Sequence, residues 1–163
     1  MNEQEIKNNW PNIHDFARII NADCLELGDN VQIDDFVFLN AEERTVLENN
    51  TCLHAGTRAI GGGRLILKQN SVVTYNCVLV TGYSRYTSHM STRVPKEAKD
   101  TLSGTIQIGC EAFVGSGSIV MPDVTLGEGA VVAAGSYIDE DVPSWTIRYP
   151  DGSTRERPEF EPY

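Results

Sequence analysis

The chain has 163 residues and 40% hydrophobic content, which suit one globular domain. Its formal net charge of −10 argues against nucleic acid as a partner, because phosphates repel an acidic surface. The chain shows no signal peptide and no apolar run of the roughly 20 residues that span a membrane, so we expect a soluble, cytoplasmic protein without membrane insertion. The four cysteines form no Cys-x-x-Cys pair and are expected to be reduced.

The first 24 residues are predicted to form a short N-terminal cap. Residues 1–9 are polar and favour a short helix that ends before Trp10-Pro11. A segment of this kind is expected to cover an open sheet edge at the lower end of the fold. His14 lies in this segment and is interpreted as a surface or packing histidine.

From residue 25 onward, aliphatic residues recur every six positions. Three successive aliphatic residues make one coil, and the first three coils begin at Leu27, Leu47 and Leu67, in steps of 20 residues. A helix repeats near 3.6 residues and a strand near 2, so a period of six predicts short strands that turn a corner every six residues. Three sixes make 18 residues, and the two extra residues in each step predict bulges at 40–46 and 61–63.

Residues 82–105 interrupt the period and form a long predicted loop. A loop of this length in a compact fold is usually functional. It combines aromatic residues and a histidine with a basic cluster: Tyr83, Tyr86 and His89 with Arg85, Arg93, Lys96 and Lys99. The alternative interpretation is a loop that is merely solvated.

The period is strictest in residues 106–143. The aliphatic openers of the successive sixes are Ile108, Val114, Val120, Leu126, Val132 and Ile138. A parallel stack of such coils has the strand spacing of about 4.8 Å and buries the openers against one another. The sequence therefore predicts an all-β fold, a parallel β-helix of about five triangular coils.

The stretch VGSGSIVMPDVTLGEGAVVAAGSYIDEDVPSWTI, residues 114–147, resembles the hexapeptide-repeat acyltransferases. The resemblance covers residues 25–147 and implies a left-handed β-helix that assembles as a homotrimer. More narrowly, LHAGTRAIGGG, a loop and SGTIQIG are similar to the sugar O- and N-acetyltransferases of bacterial polysaccharide biosynthesis. The resemblance implies transfer of an acetyl group from acetyl-CoA to a hydroxyl or amine of a sugar or nucleotide-sugar, without a metal.

The resemblance also implies positions for both substrates. Along the coenzyme we expect Gly115, Ala134, Gly135 and Trp145. The tail, residues 148–163, departs from the family's basic tail, which leaves Arg148, Arg155 and Arg157 as candidate phosphate contacts and a disordered tail as the alternative. In this family the loop projects across a cleft between subunits. The expected acceptor contacts are therefore Tyr83, Arg85, Tyr86 and Arg93.

Acetyl transfer needs a general base, and the pKa of histidine suits that role at neutral pH. Aligning the coils places Asp34 directly beneath His54, where a carboxylate can hold the imidazole in one tautomer. His89 in the loop is the alternative base, although Thr81-Gly82 is followed by Tyr83 where related proteins carry histidine.

Two other function classes stay open at this point. Zinc hydratases of the same fold gather three histidines between subunits, whereas His14, His54 and His89 are scattered in this sequence. A non-catalytic scaffold or binding protein is the other alternative.

Overall fold

The computed structural model describes residues 1–10 and 12–159, and nearly all of its regular structure is short strands. One α-helix, α1, spans Glu3–Asn9, and 3₁₀ turns span Ala22–Cys24 and Lys96–Ala98. In chain order the strands are β1 (Arg18–Ile20), β2 (Leu25–Leu27), β3 (Gln32–Ile33), β4 (Phe38–Asn40), β5 (Thr45–Leu47), β6 (Cys52–Leu53), β7 (Arg58–Ile60), β8 (Arg64–Leu67), β9 (Val72–Val73), β10 (Val78–Val80), β11 (Gly82–Ser84), β12 (Thr101–Ser103), β13 (Thr105–Ile108), β14 (Phe113–Val114), β15 (Ile119–Val120), β16 (Thr125–Leu126), β17 (Val131–Val132), β18 (Tyr137–Ile138), β19 (Thr146–Arg148) and β20 (Thr154–Glu156).

The strands form three parallel walls that enclose a triangular core. Wall A contains β3, β6, β9, β14, β17 and β19, with β20 antiparallel at its upper edge. Wall B contains β1, β4, β7, β10, β15 and β18, and wall C contains β2, β5, β8, β13 and β16. Five full coils and a partial coil at each end result, which confirms the predicted fold class.

The predicted openers point inward and stack in register. On wall C the stack is Leu27, Leu47, Leu67, Ile108 and Leu126. On wall A it is Ile33, Leu53, Val73, Val114 and Val132. On wall B it is Leu39, Ala59, Leu79, Val120 and Ile138. All but the half-buried Leu27 are at most 2% exposed, and burial of this apolar surface is the main stabilising contribution.

Coiling begins earlier than residue 25. Ile13 forms a parallel bridge with Ile33, and β1 pairs with β4, so both belong to a partial coil below the first. The cap proper is the helix α1, which Asn2 and Glu5 start with a capping box. Pro11 and residues 160–163 lie outside the described residues, whereas the tail before them folds back on wall A as β20.

The corner between walls B and C holds all the extra residues. The four residues of 41–44 and the three of 61–63 lie there, as the 20-residue steps predicted. The long loop leaves from the same corner and starts as an antiparallel hairpin of β11 and β12. The loop rejoins the coil at Gly104, one coil above Gly63. A Cβ at Gly63 would lie 2.1 Å from the carbonyl oxygen of Gly104, so position 63 requires glycine. No helix in the described part of the chain is long and apolar enough to cross a membrane.

Candidate active site

The corner between walls A and B carries a vertical row of polar side chains. We call it corner AB; it consists of residues 34–37, 54–57, 74–77, 115–118 and 133–136. His54 Nδ1 lies 2.9 Å from Asp34 Oδ2, one coil below. The six-residue register had predicted that this pair is close enough for a hydrogen bond, and the structure confirms that geometry.

The environment of Asp34 keeps its carboxylate ionised. Its side chain is 13% exposed, and that of His54 is 24% exposed. Burial by itself raises the pKa of Asp34, but hydrogen bonds from Gln32 Nε2, at 2.6 Å, and from His54 outweigh burial and hold that pKa below its usual value. An ionised carboxylate can only accept a hydrogen bond from Nδ1–H, which leaves the lone pair of Nε2 available as a base.

Two further side chains hold the imidazole. The ring of Tyr75 stacks on that of His54, with centroids 4.7 Å apart and planes 19° apart. Cys52 Sγ lies 3.6 Å from His54 Nε2. Burial, with the charge of Asp34 adding to it, raises the pKa of the Cys52 thiol to about 12, so the thiol stays protonated and is no nucleophile at neutral pH.

Sequence reasoning missed Gln32, Cys52 and Tyr75. A signal for the first two exists, because strand residues alternate between faces. Gln32 and Asp34 flank Ile33, which points inward, so their side chains both lie on the outer face of wall A. Cys52 and His54 flank Leu53 in the same way, one coil above. The contact of Tyr75 depends on its side-chain rotamer and leaves no signal in the period.

The low pKa of Asp34 gives a prediction for acid stability. The ionised carboxylate stabilises the folded state at any pH above 3.8, the pKa of this group in the unfolded chain. This contribution is lost as the pH falls through the lower pKa that Asp34 has in the folded protein. Asp34→Asn should therefore lose less free energy of unfolding between about pH 5 and about pH 2 than the wild type. Urea denaturation at several pH values measures this. Gln32→Leu removes one donor and should fall between the two; identical acid dependence of all three proteins would contradict the prediction.

Two coils above His54, beyond the ring of Tyr75 in the coil between them, corner AB becomes open backbone. A Cβ at Gly115 would lie 2.5 Å from the backbone nitrogen of Ala134. These two residues, both expected to bind the coenzyme, are therefore in direct contact across neighbouring coils. Gly117 and Gly135 have φ of +72° and +73°, and nothing lies within 4 Å of the space that a Cβ would occupy. The structure thus brings Gly115, Ala134 and Gly135 together in a strip without large side chains, and the ring of Tyr75 lies between this strip and His54.

The structure places Trp145 at another corner, whereas the backbone of Arg148 borders that strip. Trp145 lies at the corner between walls C and A, with its ring against Gly129 and beneath the guanidinium of Arg157, 5.7 Å from the ring centroid. Arg148 continues the opener register above Val132, and its Nη2 lies 4.0 Å from Glu140. Within one chain, Trp145 therefore lies at a different corner from Ala134 and Gly135, whereas the carbonyl of Arg148 accepts a 2.9 Å hydrogen bond from Ala133 N.

The loop candidates lie at the far edge of wall B. The rings of Tyr83 and Tyr86 are 5.9 Å apart, and Arg85 Nε lies 3.3 Å from Asp100 Oδ1. His89 and Arg93 are exposed. Because the loop leaves the corner between walls B and C, wall B separates its base from His54 in the same chain.

Below His54, corner AB continues into an exposed aromatic pair. The rings of Phe16 and Phe36 stack with centroids 5.9 Å apart and planes 14° apart, and each residue is 69% exposed. Phe36 has a φ of +64°, a conformation that costs a bulky residue about 1–3 kcal/mol. Beside them, His14 Nδ1 lies 3.6 Å from Asp35 Oδ2.

No three histidine, cysteine, aspartate or glutamate side chains within residues 1–10 and 12–159 converge as metal ligands. His14 and His54 lie in the same vertical row with Asp34 between them, whereas His89 is in the loop.

Comparison with known proteins agrees with this geometry. The model of the bacterial transferase hexapeptide family (six repeats) matches residues 105–140. A dTDP-4-amino-4,6-dideoxy-D-glucose acyltransferase from Escherichia coli is 30% identical over 138 residues, which cover 83% of this chain and 72% of the relative. The chain belongs to the hexapeptide-repeat acyltransferase family.

Solved structures of other family members share the fold. AntD, an N-acyltransferase from Bacillus cereus crystallised with dTDP and coenzyme A, superposes with a TM-score of 0.85 at 22% identity, over 98% of this chain and 91% of that one. A second AntD structure, with dTDP-4-amino-4,6-dideoxyglucose and coenzyme A, gives a TM-score of 0.84 at 23% identity and covers 98% and 90%. The left-handed parallel β-helix expected for this hexapeptide-repeat acyltransferase is thereby confirmed.

Proposed function

We propose that this acyltransferase moves an acetyl group from acetyl-CoA to the amine of a nucleotide-linked amino sugar. The observation that carries the proposal is the His54–Asp34 pair, hydrogen-bonded at 2.9 Å at the same corner as the open strip and two coils below it. Direct transfer between two bound substrates requires a positioned base and a surface that aligns the donor, and corner AB combines His54 with a strip that has no large side chains.

In the proposed mechanism His54 Nε2 accepts the proton that the acceptor amine loses as its nitrogen attacks the thioester carbon. The new C–N bond forms, the C–S bond breaks, and the imidazolium returns the proton to the departing thiolate. Asp34 stabilises the imidazolium between the two transfers and stays ionised itself. Gly117 and Gly135 fit the pantetheine arm of the donor, because neither presents a side chain.

Two findings favour an amine over a hydroxyl as the acceptor. The E. coli relative is an acyltransferase for dTDP-4-amino-4,6-dideoxy-D-glucose, and an AntD structure holds the same kind of sugar. Transfer to such a sugar is consistent with a role in bacterial surface-polysaccharide biosynthesis, in the cytoplasm where acetyl-CoA is made.

We further propose a homotrimer, for which the surfaces of the walls provide support. Walls A and B present apolar side chains outward, namely Val72, Phe113 and Val131 on wall A and Phe38, Val78, Ile119 and Tyr137 on wall B. Wall C presents two apolar side chains outward, Val46 and Ile66, and ion pairs flank them: Glu26–Arg44 and Glu48–Lys68, each at 2.8 Å. Packing A against B around a three-fold axis covers the apolar walls and leaves wall C in solvent. In this arrangement the loop of an adjacent subunit supplies the acceptor contacts at His54.

A comparison of acceptors tests the proposed function. The protein is incubated with acetyl-CoA and dTDP-4-amino-4,6-dideoxy-D-glucose, its 4-hydroxyl counterpart, or the amino sugar without the nucleotide, and free thiol is followed. We expect rapid thiol release with the first compound and release at the background rate with the second. Release with the hydroxyl compound alone would make the enzyme an O-acetyltransferase. No release with any acceptor, together with no binding of coenzyme A by calorimetry, would favour a non-catalytic binding protein.

A further inference from the structure

We propose that Phe36, supported by Phe16, forms the platform on which the amine-bearing ring of the acceptor sits. The inference rests on the proposed function and assigns a subsite to its acceptor. The apolar face of the sugar ring packs on Phe36, and the amine points up the corner toward Asp34 and His54.

The position of Phe36 fits this role. Backbone hydrogen bonds from Asp34 to Leu53 and from Phe38 to Thr57 place Phe36 directly below Gly56. Gly56 has no side chain to cover the ring of Phe36, and the amide of Asn76 folds over Gly56 from the coil above. The exposed ring of Phe36 therefore lies one coil below His54 at the same corner, beneath a residue without a side chain.

The backbone of Phe36 is the second observation. The equivalent corner positions of the higher coils hold Gly56, Asn76, Gly117 and Gly135, all with positive φ. Glycine and asparagine adopt this conformation readily, whereas phenylalanine does not. A strained and 69% exposed aromatic residue, at a position where smaller residues fit better, indicates a binding role.

The charges around the platform select the chemistry of the ligand. A cleft of about 310 Å³ beside it is lined by Ile13, His14, Asp15, Phe16 and Asp35. The carboxylates of Asp15, Asp34 and Asp35 repel a diphosphate and attract an ammonium group, and an aromatic face also attracts a cation. The site therefore suits the protonated amino-sugar ring rather than the phosphates of the nucleotide. The ammonium group first gives one proton to solvent, because only the neutral amine has a lone pair for attack. The neutral amine then loses its second proton to His54, as in the proposed reaction.

Phe36→Gly separates binding from folding. Glycine adopts a φ of +64° without strain, so the melting temperature should stay the same or rise. The KM for the amino-sugar acceptor should rise about tenfold or more, because the aromatic platform is lost. The KM for acetyl-CoA should stay constant. Phe36→Asn should behave alike, and Phe36→Tyr should rescue the acceptor KM. Asn70→Gly, at φ +61° on the corner between walls C and A, is the matched control and should change neither KM.

Three outcomes would overturn the platform. If the wild type acetylates the amino sugar and the acceptor KM is unchanged in Phe36→Gly and Phe36→Asn, Phe36 is not the platform. Dissociation of the oligomer in both variants, measured by sedimentation, would make Phe36 a subunit contact instead. Failure of the wild type to acetylate any amino sugar would remove the proposed function itself, and the platform with it.

Discussion

His54→Ala is expected to lower turnover by about 10²–10⁴-fold while the β-helix stays folded. The substitution removes the group that accepts the proton of the amine, and no other residue of corner AB carries an imidazole. The side chain of His54 points away from the core, so its removal leaves the packing of the core residues Leu53 and Val73 unchanged. Thiol release gives the loss of turnover, and circular dichroism with sedimentation checks fold and assembly.

Two variants serve as controls for this prediction. Asp34→Asn should lose less activity than His54→Ala, because it alters the orientation and tautomer of the imidazole but leaves the base in place. His89→Ala should change mainly the affinity for the acceptor. Near-normal turnover of His54→Ala together with abolished turnover of His89→Ala would assign the base to the loop.

Shortening the loop is expected to lower turnover by about 10²-fold or more without unfolding the coils. Residues 86–99 are replaced by Asn-Gly, a pair that favours a tight hairpin turn. The pairing of β11 with β12 and the 2.8 Å hydrogen bond from Arg85 N to Asp100 O remain, so the hairpin can close. The loss follows from removal of Tyr86, His89 and Arg93, which the proposal places at the acceptor of an adjacent subunit.

Thermal unfolding and sedimentation accompany the kinetic measurement of the shortened loop. The melting temperature should be that of the wild type, because the deleted segment contributes no residue to the buried core. Unchanged KM and kcat in an intact oligomer would show that the loop is solvated and has no part in the acceptor site.

The period of six was sufficient to predict the walls, their register and the Asp34–His54 contact. Inward burial recurs at each opener, and a slip of one residue would turn every side chain of a strand to the other face. The same period also contained the partial coil that the prediction placed in the cap. Ile13 and Ile19 precede Ile33 and Leu39 by the 20 residues that separate the next coils.

Trp145 lies at a different corner from Ala134 and Gly135 for a geometric reason, and the contact of all three with the coenzyme stays a prediction. A coil of 18 residues places a residue ten positions further along at another corner, and Trp145 follows Gly135 by ten. A continuous motif in sequence therefore covers two corners in space. Ala134 and Gly115, 19 positions apart, are in contact instead.

Other features depend on contacts that a periodic pattern does not encode. The stacking of Tyr75 on His54 and the strained backbone of Phe36 arise from side-chain rotamers and from the corner geometry. The acceptor contacts of the loop depend on a neighbouring subunit, and the period within one chain carries no information on that arrangement.

The most direct measurement is mass spectrometry of the sugar after reaction with acetyl-CoA, for the wild type and His54→Ala in parallel. With dTDP-4-amino-4,6-dideoxy-D-glucose, the wild type should give a sugar that carries one acetyl group on its amine, with free thiol in equal amount. His54→Ala should give almost none in the same time. An unmodified sugar, an acetyl group on a hydroxyl, or equal product from both proteins would contradict acetyl transfer to the amine with His54 as the base.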